Sequence, residues 1–146
     1  MKAIDIISFN YADISFSFKN RNKLKEFLLY LFKNEQKQLE ELNYIFCTDA
    51  YLLPINQNYL NHNTLTDIIT FELSNPGQPI IGDVYISAER VKENSSLFNT
   101  SFTKELHRVI FHGALHLSGY KDKTKEDEAL MRQKEDFYLS KYFCST

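Results

Sequence analysis

A chain of 146 residues, 43% hydrophobic and 25% charged, fits one globular domain and excludes a disordered polymer or a multidomain assembly. Its 17 Lys and Arg against 19 Asp and Glu give a formal net charge of −2, so the overall balance announces no nucleic-acid binder and counts mildly against an RNA substrate. Cys47 and Cys144 are lone thiols without CxxC spacing, which points to a reduced, cytoplasmic protein rather than a disulfide-stapled secreted one.

The apolar run at the N-terminus is broken by Asp5 and Asn10 and is too short and polar for a signal peptide or a membrane span. Residues 4–9 are β-branched and apolar and read as a strand. Residues 11–18 alternate loosely, as a loop or a strand edge. Asn20 or Asn22 offers an N-cap for a helix to about Gln38, with Leu24, Phe27, Leu28, Leu31 and Phe32 on one face. Lys19, Arg21, Lys23 and Lys25 beside it read as a solvated surface more readily than as a phosphate contact. Residues 43–48 (NYIFCT) read as a buried strand, and Asp49 as the N-cap of a short helix containing Pro54 and ending near Asn61. Residues 67–71 and 80–87 flank the turn-forming SNPGQP of 74–79 and should pair as a hairpin. Asp67 and Asp83 are candidates for lining a cleft, with Asp67 equally able to bind backbone N–H groups at a strand end. Residues 88–96 read as a helix with Arg90 and Lys92 outward.

Residues 101–122, SFTKELHRVIFHGALHLSGYKD, carry the chemistry. At about 100° per residue Leu106, Val109, Ile110, Gly113 and Leu117 form one apolar stripe. His112 and His116, four apart, stack on a neighbouring face. Gly119 falls where a helix C′ residue adopts the left-handed conformation, so the chain can turn at once and deliver Asp122. Two imidazoles and a carboxylate brought to one point make a metal site with three protein ligands, leaving a fourth, tetrahedral position for water whose pKa the ion lowers to about 7. Gly113 stands where a peptidase of the H-E-x-x-H type carries its general base, and its role reads as close packing instead. Glu105 lies about 10.5 Å of helix rise before His112, too far to touch it, and reads as a favourable first-turn charge. Arg108, one turn before His112, is better placed to meet a phosphate. His107 points away from His112 on the helical wheel. Thr124 and Asp127 resemble a capping box opening a last helix over 125–142, with Ala129, Leu130, Gln133, Phe137 and Tyr138 packing inward.

FHGALHLSGYKD resembles the HGxLHLxGYDH signature of the YbeY family, the rRNA maturation factors described as single-strand-specific, zinc-dependent endoribonucleases. His112, Gly113, Leu115, His116, Leu117, Gly119 and Tyr120 match position for position. The family's Asp falls on Lys121 and its third His on Asp122, so the ligand set becomes two His and one carboxylate. That set also suits other divalent transition metals, and it makes the bound water somewhat less acidic. Tyr59, Leu60, Asn61, Thr66, Asp67 and Phe71 resemble a second family signature, and Gly82 with Asp83 a third. The family's loop Arg has no counterpart; His62 and Asn63 stand nearby instead.

The expected architecture is a single α+β domain over 1–146, with a mixed sheet of about four strands packed with helices and the metal site at the end of the long HxxxH helix, a zincin-like arrangement. The expected chemistry is phosphodiester hydrolysis around one Zn2+ per chain held by His112, His116 and Asp122, with Arg90, Arg108 and Lys121 as candidate phosphate contacts and no catalytic group assigned beyond the metal-bound water. The resemblance implies single-stranded rRNA, in particular the 3′ end of the small-subunit rRNA, and ribosomal particles as partners, with no membrane. It leaves the oligomeric state open. Two other readings stand beside it: a non-enzymatic ribosome-associated assembly factor whose metal is structural, with His62 or His107 as a fourth ligand, and a metal-dependent hydrolase of another substrate.

Overall fold

The structure, a computed structural model, describes residues 3–60 and 66–144. A single 3₁₀ turn, Ala3–Ile6, leads into strand β1, Ile7–Tyr11, so the first strand starts three residues later than its apolar run suggests. Helix α1, Arg21–Asn34, buries Leu24, Leu28, Leu31 and Phe32. It stops four residues before the expected end because Gln36 takes φ 59° and the Lys37 N–H closes back on the Phe32 carbonyl at 2.9 Å, a Schellman-type ending. Asn20 occupies the N-cap position in the left-handed region and makes no side-chain cap.

Strand β2, Leu39–Cys47, is longer than its apolar core implies, because Glu40 and Glu41 hide its first residues. Helix α2, Asp49–Leu60, follows with Pro54 inside it. The Thr48 hydroxyl accepts the Tyr51 N–H and acts as its cap, while Asp49 reaches instead to Ser87 and Arg90. Strand β3, Ile68–Glu72, pairs antiparallel with β4, Ile80–Ser87, as the hairpin pattern requires. The four strands stand in the order β1-β2-β4-β3, with β1, β2 and β4 parallel.

Alternation along β4 divides the core. Ile80, Gly82, Val84 and Ile86 face a large cluster shared with α1 and the two last helices, and Tyr85 turns to the other face, where Leu52 and Ile55 of α2 cover Cys47 and Ile69. Helix α3, Ala88–Leu97, is capped by Ser87, whose hydroxyl accepts the Arg90 N–H. Helix α4, Phe102–Leu117, is capped by Ser101 and lies on β3 and β4 with Leu106, Val109, Ile110, Gly113 and Leu117 all buried. Gly113 lets α4 lie close on the sheet: a Cβ there would stand 2.9 Å from Val84 Cγ1 and 3.1 Å from Ile68 Cδ1. Helix α5, Lys125–Phe143, opens with the capping box of Thr124 and Asp127. It buries Met131, Glu135, Tyr138, Leu139 and Tyr142, while Leu130 and Phe137 are exposed. The inward face is thus rotated from the expected one, because a buried charged residue, Glu135, lies in its middle.

The sheet and helices form one α+β unit. Among the described residues no helix is long and apolar enough to cross a membrane.

Candidate functional site

The apolar stripe of α4 is consumed by the sheet, which leaves the neighbouring face of the helix, with His112 and His116, turned towards α5 and the segment before it. Gly119 takes φ 111°, and the Tyr120 N–H bonds to the Leu115 carbonyl at 3.1 Å. This Schellman-type turn brings the chain back past the helix end. His112 Nε2 stands 3.4 Å from Asp122 Oδ2. Two donor atoms bound tetrahedrally at about 2.0–2.1 Å from one ion lie about 3.3 Å apart, so this imidazole and this carboxylate fit a shared cation.

The other ring nitrogen is held from behind. His112 Nδ1 lies 2.7 Å from Glu135 Oε2 on α5. A carboxylate there obliges Nδ1 to carry the proton, and the neutral ring then offers its Nε2 lone pair towards Asp122. Glu135 has a side chain only 7% exposed and accepts Arg108 Nη1 at 3.0 Å, while Arg108 Nη2 reaches Asp136 at 2.7 Å. Burial pushes the His112 pKa down, but the Glu135 hydrogen bond and the charges of Glu135, Asp122 and Asp67 outweigh it and hold the ring above its ordinary value. His116, one turn on and exposed at the surface, goes the other way: partial desolvation by its neighbours outweighs the pull of Asp122 and lowers it. A lone pair free at neutral pH is what a ligand imidazole needs, and the lowered His116 offers it, whereas the raised His112 holds its proton more firmly and would have to give it up to a cation. Among the described residues no three His, Cys, Asp or Glu side chains stand together as a ready-made metal cluster; the fit rests on the His112–Asp122 pair and on His116 a turn away.

The turn carrying Asp122 has its own anchor. The Tyr120 hydroxyl donates to Glu35 Oε1 at 2.7 Å, the Tyr138 hydroxyl donates to Glu35 Oε2, and Lys134 Nζ stands 3.4 Å from the same carboxylate. Glu35 follows α1, so α1, the turn and α5 meet on one carboxylate. Burial pushes that carboxyl up, and the bonds from Tyr138 and Tyr120 with the Lys134 charge more than offset it, leaving it below its usual range.

His112 and Asp122 open into a cleft of about 740 Å³ between α3, α4 and α5. Asp67, Glu105, Glu128 and Glu135 line it together with Arg108, Lys125 and Arg132, and Ile68, Phe98, Val109, Ala129 and Met131 form its apolar part. Burial raises the pKa of both Asp67 and Glu105.

Of the phosphate candidates, Arg108 alone lines the cleft, and it is already paired with Glu135 and Asp136. Arg90 lies outside the cleft lining and is not simply outward: its guanidinium is bound to Asp49 at 2.8 Å. Lys121 is exposed and also lies outside the lining. Asp67 lines the cleft; Asp83 does not, and accepts from Asn43 Nδ2 at 3.1 Å. His107 is buried, bound through Nδ1 to the Thr103 carbonyl at 2.6 Å and stacked on Tyr142. His62 and Asn63 lie outside the described residues. Glu135 escapes sequence reasoning, since it lies 23 residues from His112 in a stretch crowded with charges; the one available signal is its place at the centre of the inward face of α5.

The sequence matches the model of a family described as Endoribonuclease YbeY over residues 6–143. Among its relatives, a protein named Endoribonuclease YbeY from Flavobacterium psychrophilum is 52% identical over 131 residues, covering 90% of this chain and 92% of the relative. A protein of the same name from Cytophaga hutchinsonii is 45% identical over 136 residues, covering 93% and 95%. The solution structure of a Thermotoga maritima protein superposes with a TM-score of 0.60 at 26% identity, covering 94% of this chain and 89% of the other.

Proposed function

The chain belongs to the YbeY endoribonuclease family, and on that premise we propose that it cleaves phosphodiester bonds of single-stranded ribosomal RNA during rRNA maturation, in contact with ribosomal particles in the cytoplasm. The observation that carries the reading is the convergence of His112 Nε2 and Asp122 Oδ2 at 3.4 Å, with the imidazole held from behind by Glu135. His112, His116 and Asp122 would hold one divalent ion, zinc in the first instance. Such an ion supplies Lewis-acid charge at a phosphoryl oxygen and lowers the pKa of a bound water.

The chain's own residues do the rest. Glu135 fixes the His112 tautomer, and the Glu35–Tyr120 bond fixes the turn that presents Asp122. Lys125 and Arg132, with Arg108 already paired to Glu135 and Asp136, supply the positive charge in a cleft that also holds carboxylates and an apolar part, and they are the groups available to meet a phosphate there. The reading of a structural metal needs a fourth protein ligand. His107 is spent on Thr103 and Tyr142, which weighs against it.

Elemental analysis and cleavage of a single-stranded rRNA fragment, run on the same samples of wild type, His116→Ala and Asp122→Ala, decide the matter. The expected outcome is about one zinc per wild-type chain, with metal and cleavage lost together in both variants. Asp122→Ala retaining full metal would refute the ligand set; metal lost from a wild type that never cut RNA would make the site structural.

A further inference from the structure

The proposed strand cleavage needs somewhere to put the bases beside the cut, and one wall of the cleft is built for a flat ring. Phe98 follows the last turn of α3 and is 60% exposed. Among the described residues no aromatic ring packs against it, and its neighbour Leu97 is 71% exposed. Scattered exposed apolar residues are ordinary, but Phe98 lines the same cleft as His112 and Asp122.

The second observation is Glu105. It is 5% exposed, it lines the cleft close to Phe98 in the chain, and among the described residues its carboxylate has no hydrogen-bond donor. Burial raises its pKa, and Arg108 and Arg132 only partly compensate. A carboxylate without a donor that opens onto the same cleft as an exposed aromatic ring disfavours a phosphate there, which it would repel. It selects a planar, uncharged group that carries N–H donors on its edge. In a single RNA strand that group is a nucleobase: unpaired bases stack on aromatic side chains, and a carboxylate accepts from the exocyclic amine of cytosine or from other base N–H groups.

We infer that Phe98 and Glu105 form a nucleobase subsite, in which an unpaired base next to the scissile phosphate stacks on the Phe98 ring and donates an edge N–H to Glu105. The inference rests on the RNA-cleaving reading above and adds to it a residue that grips every base and one that discriminates among them. Phe98 is a binding residue here, and its exposure makes it safe to replace without unfolding the chain.

The test is steady-state cleavage of single-stranded oligoribonucleotides by the full chain. Phe98→Ala should raise KM by roughly 5- to 150-fold with kcat within about twofold, and Phe98→Trp should restore it. Removing one base in turn from the substrate should reveal a position whose loss costs wild type that same factor and costs Phe98→Ala nothing further. Glu105→Gln should reorder the preference among the four bases at that position without abolishing cleavage. If wild type cuts and Phe98→Ala matches it in KM, the subsite is refuted while the nuclease stands, and Leu97 and Phe98 then belong to a protein contact. Additive losses from the Phe98→Ala change and the missing base would refute it equally. A wild type that cuts no RNA sinks the nuclease reading first and this one with it.

Discussion

Glu135 does two jobs with one carboxylate: Oε2 meets His112 and Oε1 meets Arg108. Removing a carboxylate that orients a ligand imidazole typically costs 10- to 100-fold in metal affinity. Glu135→Gln should therefore weaken zinc binding by about that factor in a chelator competition, while far-ultraviolet circular dichroism stays that of wild type; unchanged affinity would relegate Glu135 to packing. Glu35 sets a second residue-scale expectation. Its folded pKa lies below the unfolded one, so its contribution to stability is present above the unfolded value and is lost as pH falls through the folded value. Glu35→Gln should cost about 1.5–3 kcal/mol at pH 7, the range for hydrogen bonds to a charged group. The gap between the two melting curves should close on acidification towards the bottom of the carboxylate range. A gap that persists at low pH would mean that shape rather than charge makes the contact. The histidines were legible in the sequence because i and i+4 spacing is local. Glu35 and Glu135 were not, because what matters about them is a partner 85 or 23 residues away.

At the scale of the element, α4 was readable almost to the residue. Its stripe, its end at Gly119 and the close packing at Gly113 are consequences of a helical period that the sheet accepts without distortion. Gly113→Ala tests that packing. Ala favours helix by about 1 kcal/mol over Gly, yet its Cβ would meet the stiff, β-branched Val84 at 2.9 Å, and overpacking costs about 1–3 kcal/mol. The variant should be less stable by up to about 2 kcal/mol in denaturant titration; one more stable than wild type would show that α4 can lift off the sheet freely. Helix α5 misled for the opposite reason. Its inward face holds a buried ion pair, so the hydrophobic pattern points to the adjacent face with Leu130 and Phe137, which the structure leaves exposed. The ends of α1 and β2 depended on a positive φ at Gln36 and on a partner strand, neither of which a single segment announces.

For the whole molecule, the fold was more legible than the site. Strands confined to the first 87 residues and long helices after them are enough to specify an α+β sheet covered by helices. Net charge says nothing of how charge is distributed: Arg108, Lys125 and Arg132 share one cleft with Asp67, Glu105, Asp122, Glu128 and Glu135.

The order of elements along the chain has a consequence for how the protein comes into being. All four strands and α1 precede residue 88, whereas the group that steadies His112 sits in the last helix, and Tyr138 of that helix closes on Glu35 across 103 positions. Vectorial synthesis thus makes every strand while α5 is still unmade. A nascent chain at that stage has both histidines and the Tyr120–Glu35 contact that holds the turn, yet it lacks the carboxylate that aims His112 and the Tyr138 and Lys134 contacts that complete the Glu35 anchor. The contact that steadies His112 is therefore among the last to form, made only once α5 has been synthesised and docks against α4.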